Sequence, residues 1–193
     1  NQQLDSLEVA ETQHVGISEP YFMTTRGGNS YDRLFMDAFI RPGIGDNYWT
    51  ARTNYPALNV VETGKVEMSI YGNYDYAQPT AHLRRYSMRL DGFSSIYGPY
   101  SGGEVITKPF TFTGDELEIN FSTSITGEIK FEIQDPYGNP IPGFSMEEAE
   151  TIIGNKITKI VNWMGNLNEL ESKPIRLRIY LKNANLYSIR FKK

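Results

Sequence analysis

Apolar and polar residues alternate along several short segments of this 193-residue chain, with the period of two that is typical of half-buried β-strands. In VEMSIY (residues 66–71) every second residue is apolar, which predicts a strand with one buried face and one polar face. The same alternation recurs in IKFEIQ (129–134) and RLRIYLK (176–182). The chain is therefore predicted to be all-β, with antiparallel sheets.

The C-terminal half shows the most regular spacing, because short apolar runs are separated by Gly, Pro, Asn or Asp. The predicted strands are Val105–Thr107, Phe110–Phe112, Leu117–Ser122, Glu128–Gln134, Ile157–Trp163, Ile175–Lys182 and Leu186–Phe191. Seven short strands at such intervals predict an antiparallel β-sandwich, with Trp163 in its core. Ser145 and Glu148 have the spacing of a capping box, which predicts a single helical turn between strands.

The N-terminal half is predicted to contain a hairpin and a meander. Two aromatic-rich runs within residues 19–33 flank Gly27-Gly28-Asn29, which supplies the positive φ of a tight turn. Residues 34–40 are interpreted as extended, and residues 54–97 as an antiparallel meander. Composition shifts near residue 91, and we place two domains at residues 1–82 and 83–193.

Charge and composition narrow the class of partner. The net charge of −4, from 19 basic and 23 acidic residues, gives no basic footprint for nucleic acid, and the cluster Arg84, Arg85 and Arg89 is interpreted as a solvated face. Without cysteine there are no disulfides or thiolate sites. No apolar run reaches the length of a membrane span, and the start at Asn1 suggests a mature or trimmed product.

Metal and cofactor signals are weak. His14 and His82 are far apart in sequence, neither has a metal-ligating residue at a useful spacing, and both are interpreted as structural or surface residues. We expect no cofactor. A structural Ca²⁺ held by Asp91 or Asp115 with loop carbonyls stays open as an alternative.

Several segments taken together resemble one family of secreted bacterial proteins. They are YFMTTRGGNSYDR, AFIRPG, WTARTNYPA and TGKVEMSIY in the first half, and RLDGFSSI, TKPFTFTGDELEINFST, GEIKFEIQDPYGNPIPGF and IRLRIYLKNANLYSIRF in the second. These resemble furanosidase-type glycoside hydrolase-related proteins, in which a five-bladed β-propeller precedes a concanavalin A-like β-sandwich. The resemblance implies a jelly roll at 83–193, a propeller-blade-like meander at 1–82 and an extracellular or periplasmic location. The earlier blades, which supply the nucleophilic Asp in such enzymes, are not represented here.

Glycoside hydrolysis needs two carboxyl groups that flank the scissile bond. Glu67 is the best candidate acid, because its position within VEMSIY faces away from the apolar residues of that strand. The alternative interpretation is a solvated glutamate on the outer face. The other carboxylates of this half are Asp32, Asp37, Asp46 and Glu62.

A polar and aromatic group is the best candidate for carbohydrate binding. Its members are Arg41, Trp49, Arg52, Asn54 and Tyr55, joined by the loop tyrosines Tyr74 and Tyr76. Arginine and asparagine donate hydrogen bonds to sugar hydroxyls or carboxylates, and aromatic rings stack on the apolar face of a sugar. By resemblance these residues line the mouth of a propeller. Loop fixing and packing between blades are the alternatives, and Tyr71, Tyr97 and Tyr100 form a second aromatic set of the same kind.

Three functions follow. The leading hypothesis is a non-catalytic, glycan-binding or accessory protein, which by itself is not an enzyme. The second is the C-terminal portion of a glycoside hydrolase whose site needs upstream blades. The third is a structural interaction domain. An isolated set of blades leaves strand edges unpaired, so self-association is also expected.

Overall fold

A computed structural model describes residues 18–45, 48–49, 54–76 and 79–193. Within these ranges the chain consists of antiparallel strands, turns and a short 3-10 helix at Leu167–Leu170, which confirms the all-β fold class. The chain divides into two compact units, with the boundary between Leu90 and Asp91. The sequence placed this division at 82/83, but the strand that begins at His82 pairs with its neighbour through Arg89, and this pairing holds it in the first unit.

The first unit is built on a four-stranded antiparallel sheet. Its strands are β1 (Tyr55–Pro56), β2 (Val61–Gly64), β3 (Glu67–Tyr74) and β4 (His82–Arg89). β3 is central: β1 and β2 pair with one of its edges, and β4 pairs with all eight of its residues on the other. The predicted meander is confirmed for β2, β3 and β4. The outer edge of β4 has no strand partner among the described residues, and self-association through such edges stays a prediction.

The two faces of this sheet differ as the alternation predicts. Met68, Ile70 and Tyr74 lie on one face and are buried. Glu67 and Tyr71 occupy alternate positions of β3 and therefore face the other side.

The segment predicted as a hairpin closes in an antiparallel bridge, but its loop spans the seven residues between Thr24 and Asp32, so the predicted tight turn is wrong. Thr24 and Asp32 exchange two backbone hydrogen bonds of 2.9 and 2.7 Å, and Gly27 and Gly28 have φ angles of 94° and 84°. Residues with a Cβ rarely adopt such angles, so the two glycines permit this loop. Further along, Ala38 forms an antiparallel bridge with Tyr21.

The second unit contains a five-stranded antiparallel sheet. Its strands are β5 (Ile96–Gly98), β6 (Gly103–Ile106), β7 (Glu116–Gln134), β8 (Asn155–Val161) and β9 (Arg176–Lys192). β7 and β9 pair with each other along most of their length; β8 flanks β7, while β5 and β6 both flank β9.

β7 and β9 each replace two shorter predicted strands, so those predicted strand ends were wrong. The register between β7 and β9 shifts between Thr123 and Glu128, where the sequence suggested a break. At this shift the backbone of Gly127 packs against Asn183, which has a φ of 44°. A register shift of this kind bends a strand without ending it, and turn residues inside a bent strand resemble a loop in the sequence.

Both halves of the long strands contribute to one apolar core of eighteen buried residues. Ile119 and Phe121 enter it from the first half of β7, and Ile129 and Phe131 from the second. A single core enclosed by a bent antiparallel sheet gives this unit its β-sandwich-like character. Trp163 packs against the core as predicted, and its indole N–H donates to the Phe131 carbonyl over 2.9 Å. The jelly-roll topology stays a prediction.

Carboxylates of the second unit that do not belong to the apolar core are hydrogen-bonded. Glu132 is 1% exposed, and it accepts hydrogen bonds from Gln134 Nε2 (2.7 Å) and the Met146 backbone N–H (2.8 Å). The predicted capping box is present as a turn: Glu148 accepts from the Ser145 hydroxyl and from its backbone N–H. These bonds satisfy polar groups that would otherwise destabilise the unit.

Candidate ligand-binding site

An aromatic cluster surrounds one arginine at the C-terminal end of β3. The guanidinium carbon of Arg84 lies 3.7 Å from the ring centroid of Tyr74 and 5.6 Å from that of Tyr48. The Tyr74 ring also contacts Tyr48 and His82, with centroid distances of 5.0 and 5.3 Å. We name this group of four residues the Arg84 cluster.

Strand pairing places the members of this cluster together. Tyr74 is the last residue of β3 and pairs with His82, the first residue of β4. Arg84, two residues further along β4, projects from the same face as His82 and pairs with Gly72. Because Gly72 has no side chain, the Tyr86 ring packs over it: a Cβ at Gly72 would lie 3.2 Å from that ring.

Gly43 connects the Arg84 cluster to an exposed tryptophan. A Cβ at Gly43 would lie 2.7 Å from the Tyr74 hydroxyl and 3.0 Å from the Tyr48 ring, so only glycine fits there. The Gly43 carbonyl accepts a 3.1 Å hydrogen bond from Trp49 Nε1. The polar edge of Trp49 is thus bound by the protein, while 46% of the residue surface stays exposed.

The environment of Arg84 keeps it charged. Burial disfavours the charge, but the hydrogen bond with the Tyr48 hydroxyl and the neighbouring phenol groups outweigh burial, and the pKa of Arg84 lies above its ordinary value. Burial likewise raises the pKa of the Tyr86 hydroxyl, against the opposing charge of Arg84. Within the described ranges, no carboxylate lies at ion-pair distance from Arg84.

Three buried polar atoms at this end of the sheet have no hydrogen-bond partner in the described part of the chain. They are Asn54 Oδ1, Tyr74 Oη and Asp75 Oδ1. Asn54 is oriented by its other groups, because its backbone N–H donates to the Asn73 carbonyl (3.0 Å) and its Nδ2 to the Ser18 carbonyl (3.3 Å). Leaving such atoms unsatisfied destabilises a fold by about 1–3 kcal/mol each.

Asn54 and Asp75 also have left-handed backbones, with φ of 63° and 52°. Asparagine and aspartate tolerate this conformation better than most residues. Uncommon backbone conformations and unpartnered buried polar atoms coincide here, and such features are frequent at binding sites.

Most of the predicted binding residues meet at this end of the sheet. Asn54 and Tyr55 lie at the start of β1, opposite the end of β3 that carries Tyr74. Tyr76 follows two residues later, and Trp49 is attached through Gly43. Tyr55 and Tyr76 are about half exposed.

Two predicted binding residues are not part of this group. Arg41 forms an exposed ion pair with Asp37, at 3.2 Å, and no described contact joins it to the Arg84 cluster. Arg52 lies outside the described residues. Tyr97 and Tyr100, from the second aromatic set, are exposed residues of the second unit.

Glu67 lies at the opposite end of β3 from Tyr74. Tyr74 is seven residue steps from Glu67, which corresponds to about 23 Å along a strand. Its Oε1 accepts hydrogen bonds from Thr63 Oγ1 (2.8 Å) and from Arg85 (3.0 Å). Among the other candidate carboxylates, Glu62 pairs with Met68 and therefore lies on the face of the sheet opposite Glu67. Asp46 lies outside the described residues.

Sequence reasoning missed four members of this site. Arg84 was assigned to a solvated face and His82 to a structural or surface role, while Tyr48 and Asp75 were not considered. A signal was present for β4, because His82, Arg84 and Tyr86 recur every second residue and must share a face. That this face meets Tyr74 follows only from the pairing of β4 with β3.

Metal ligands do not cluster in the part of the chain that the structure describes, where no group of three or more His, Asp or Glu residues is arranged to hold an ion. Asp91 accepts a 2.9 Å hydrogen bond from the Ser188 hydroxyl. Nor does any described helix have the length and apolar character needed to cross a membrane.

Comparison with models of known protein families, with curated proteins and with solved structures returned no match. The resemblance to furanosidase-type proteins therefore stays a prediction that rests on the sequence motifs.

Proposed function

We propose that this protein is a non-catalytic glycan-binding protein whose binding site is the end of the first sheet that carries Trp49, Asn54 and Tyr74. The observation that carries the proposal is the state of Trp49. Its indole N–H is bound to the Gly43 carbonyl, and yet 46% of the residue is exposed. A ring held by its polar edge offers its face to solvent, and sugar rings stack on such faces.

The unpartnered polar atoms at this end of the sheet suit hydroxyl groups. Asn54 Oδ1 and Asp75 Oδ1 are acceptors, and no described residue donates to them. A ligand that satisfies them must bring hydrogen-bond donors, as the hydroxyls of a sugar do. Tyr76 adds exposed aromatic surface at the same end of the sheet, whereas Tyr55 pairs with Asn73 and lies on the face opposite Tyr74.

Binding without hydrolysis agrees with the position of Glu67. Both glycosidase mechanisms need a protonated carboxyl group and a second carboxyl group within about 10 Å, on opposite sides of the glycosidic bond. Glu67 instead contacts Arg85, about 23 Å along β3 from the aromatic end. The proposal includes the location that the resemblance implies, in the extracellular or periplasmic space, where glycans are accessible.

Calorimetry with soluble plant and microbial oligosaccharides tests the proposal. We expect weak binding that Trp49→Ala lowers about tenfold, equivalent to about 1.4 kcal/mol, and that Trp49→Phe largely retains. Tyr137→Ala is the matched control, because Tyr137 is an exposed aromatic residue of the second unit. If no glycan binds, the proposal is wrong and a structural interaction domain is the better interpretation.

A further inference from the structure

We propose that the glycan bound at this site carries a carboxylate, as a uronic acid residue does, and that Arg84 binds this carboxylate. The inference rests on the proposed glycan-binding function and names the class of sugar.

Arg84 differs from the arginines that form ion pairs. Arg85 pairs with Glu67, Arg178 with Glu104 and Arg190 with Glu118. Arg84 is surrounded by tyrosines, and no carboxylate of the described residues neutralises it. A partly buried cation without a counter-ion is unusual in a folded protein, and an anionic ligand would supply that counter-ion.

The tyrosines also hold the guanidinium in place. Its central carbon lies 3.7 Å from the centroid of the Tyr74 ring and 5.6 Å from that of Tyr48. An arginine has five N–H donors in a fixed fork. A carboxylate accepts two parallel hydrogen bonds from such a group, and little side-chain entropy is lost because Arg84 is already ordered.

A guanidinium forms the same paired hydrogen bonds with a carboxylate, a sulfate or a phosphate. The carboxylate is the class of anion that the proposal names, and sulfated sugars are the competing ligands in its test.

The unpartnered acceptors make a sugar acid a better fit than a simple anion. Arg84 lies opposite Gly72, and Asp75 follows the last residue of β3 with a left-handed backbone. Asp75 and Asn54 would accept from hydroxyls at one end of a short oligosaccharide while Arg84 binds a carboxylate further along it. A free phosphate or acetate satisfies only the arginine.

Paired ligands test this inference by calorimetry. Galacturonate, glucuronate and mannuronate oligosaccharides are each compared with the carboxyl-reduced sugar of the same linkage and length. We expect at least one uronate to bind ten times more tightly than its reduced form, with an advantage that shrinks as salt is raised.

Two variants assign the effect to Arg84. Arg84→Gln should abolish the preference while binding of the reduced sugar changes less than threefold, and Arg84→Lys should restore only part of it. Arg85→Gln is the control, since Arg85 is the neighbouring arginine on the opposite face of β4, and it should keep the full preference. Thermal unfolding of each variant shows whether the fold is retained, and Arg84→Lys serves if Arg84→Gln does not fold.

The outcomes separate the two proposals. Equal binding of acidic and reduced sugars overturns the carboxylate inference and leaves glycan binding intact. Tighter binding of sulfated sugars than of uronates overturns it as well, as does an unchanged preference in the folded Arg84 variant. Absence of binding to every glycan overturns both proposals.

Discussion

The Arg84 guanidinium carbon lies 3.7 Å above the ring of Tyr74, and the hydroxyl of that same tyrosine is buried without a hydrogen-bond partner among the described residues. One side chain therefore serves as a platform for a cation through its face and leaves its polar end unsatisfied. A site optimised for stability alone would not retain the second feature, because removing an unsatisfied buried hydroxyl costs little or stabilises the fold.

Tyr74→Phe separates binding from stability. The variant keeps the ring beneath Arg84 and removes the hydroxyl, so we expect an unchanged or slightly raised melting temperature and a severalfold loss of glycan affinity. Thermal unfolding and calorimetry measure the two effects. Tyr187→Phe, in the second unit, should leave the affinity unchanged. A melting temperature that falls by several degrees in Tyr74→Phe would show that the hydroxyl has a partner in solution.

Gly43→Ala should disrupt the Arg84 cluster. The added Cβ would lie 2.7 Å from the Tyr74 hydroxyl and 3.0 Å from the Tyr48 ring, closer than van der Waals contact allows. We expect a loss of about 1–3 kcal/mol in the free energy of unfolding of the first unit, together with weaker glycan binding. Gly64→Ala is the matched control, because its nearest neighbour would be Glu67 Cβ at 3.7 Å. Equal effects of the two substitutions would contradict the packing described for Gly43.

The second unit should lose stability in acid, because protonation of Glu118 removes a stabilising carboxylate. Hydrogen bonds from Lys192 and Arg190 hold the pKa of Glu118 below its ordinary value of 4.5, although burial opposes this. A carboxylate whose pKa is lower in the folded state stabilises the protein above its unfolded pKa, and this stabilisation is lost as pH falls through the folded pKa.

Glu118→Gln tests that dependence. At pH 7 we expect the free energy of unfolding to fall by about 1 kcal/mol, and the difference from wild type to disappear as pH falls through the folded pKa of Glu118. Urea unfolding at pH 7, 5 and 3 measures it. A difference in stability that stays constant over this pH range would show that the ionisation of Glu118 is not coupled to folding. Lys192→Met should reduce the same acid sensitivity.

The second unit should resist protease longer than the first. Eighteen buried apolar residues form its core, whereas the buried apolar residues described in the first unit are Ile40, Met68, Ile70 and Tyr74. Opening of a segment requires exposure of its core, so limited proteolysis followed by mass spectrometry should leave a fragment that ends at Lys193 and begins near Asp91. Phe131→Ala removes a fully buried ring and should abolish that protection. Survival of a fragment from the first unit instead would contradict the expectation that the second unit resists protease longer.

Local pattern was enough to derive much of the architecture from the sequence. The two-residue period identified the buried face of β3 and the core-facing positions of β7 and β9, because a strand turns successive side chains to opposite faces whatever lies beyond it. The positive φ angles of Gly27 and Gly28 were likewise predictable, since glycine adopts such angles readily. Residue chemistry alone also suggested Trp49, Asn54, Tyr55, Tyr74 and Tyr76 as binding residues, and their role in binding stays a prediction.

Pairing between distant segments decided the rest, and the adjacent arginines of β4 show why. The alternation requires Arg84 and Arg85 to face opposite sides but does not say what each side contains. The register of β3 against β4 places Arg84 beside Tyr74, and Arg85 contacts Glu67. The register thereby makes Arg84 a candidate ligand contact and gives Arg85 a carboxylate partner. Register depends on backbone hydrogen bonds between strands and on the faces that the strands bury together. The residue pattern of a single strand therefore cannot predict the register. Pairing between strands also decided that β7 and β9 continue through their bends.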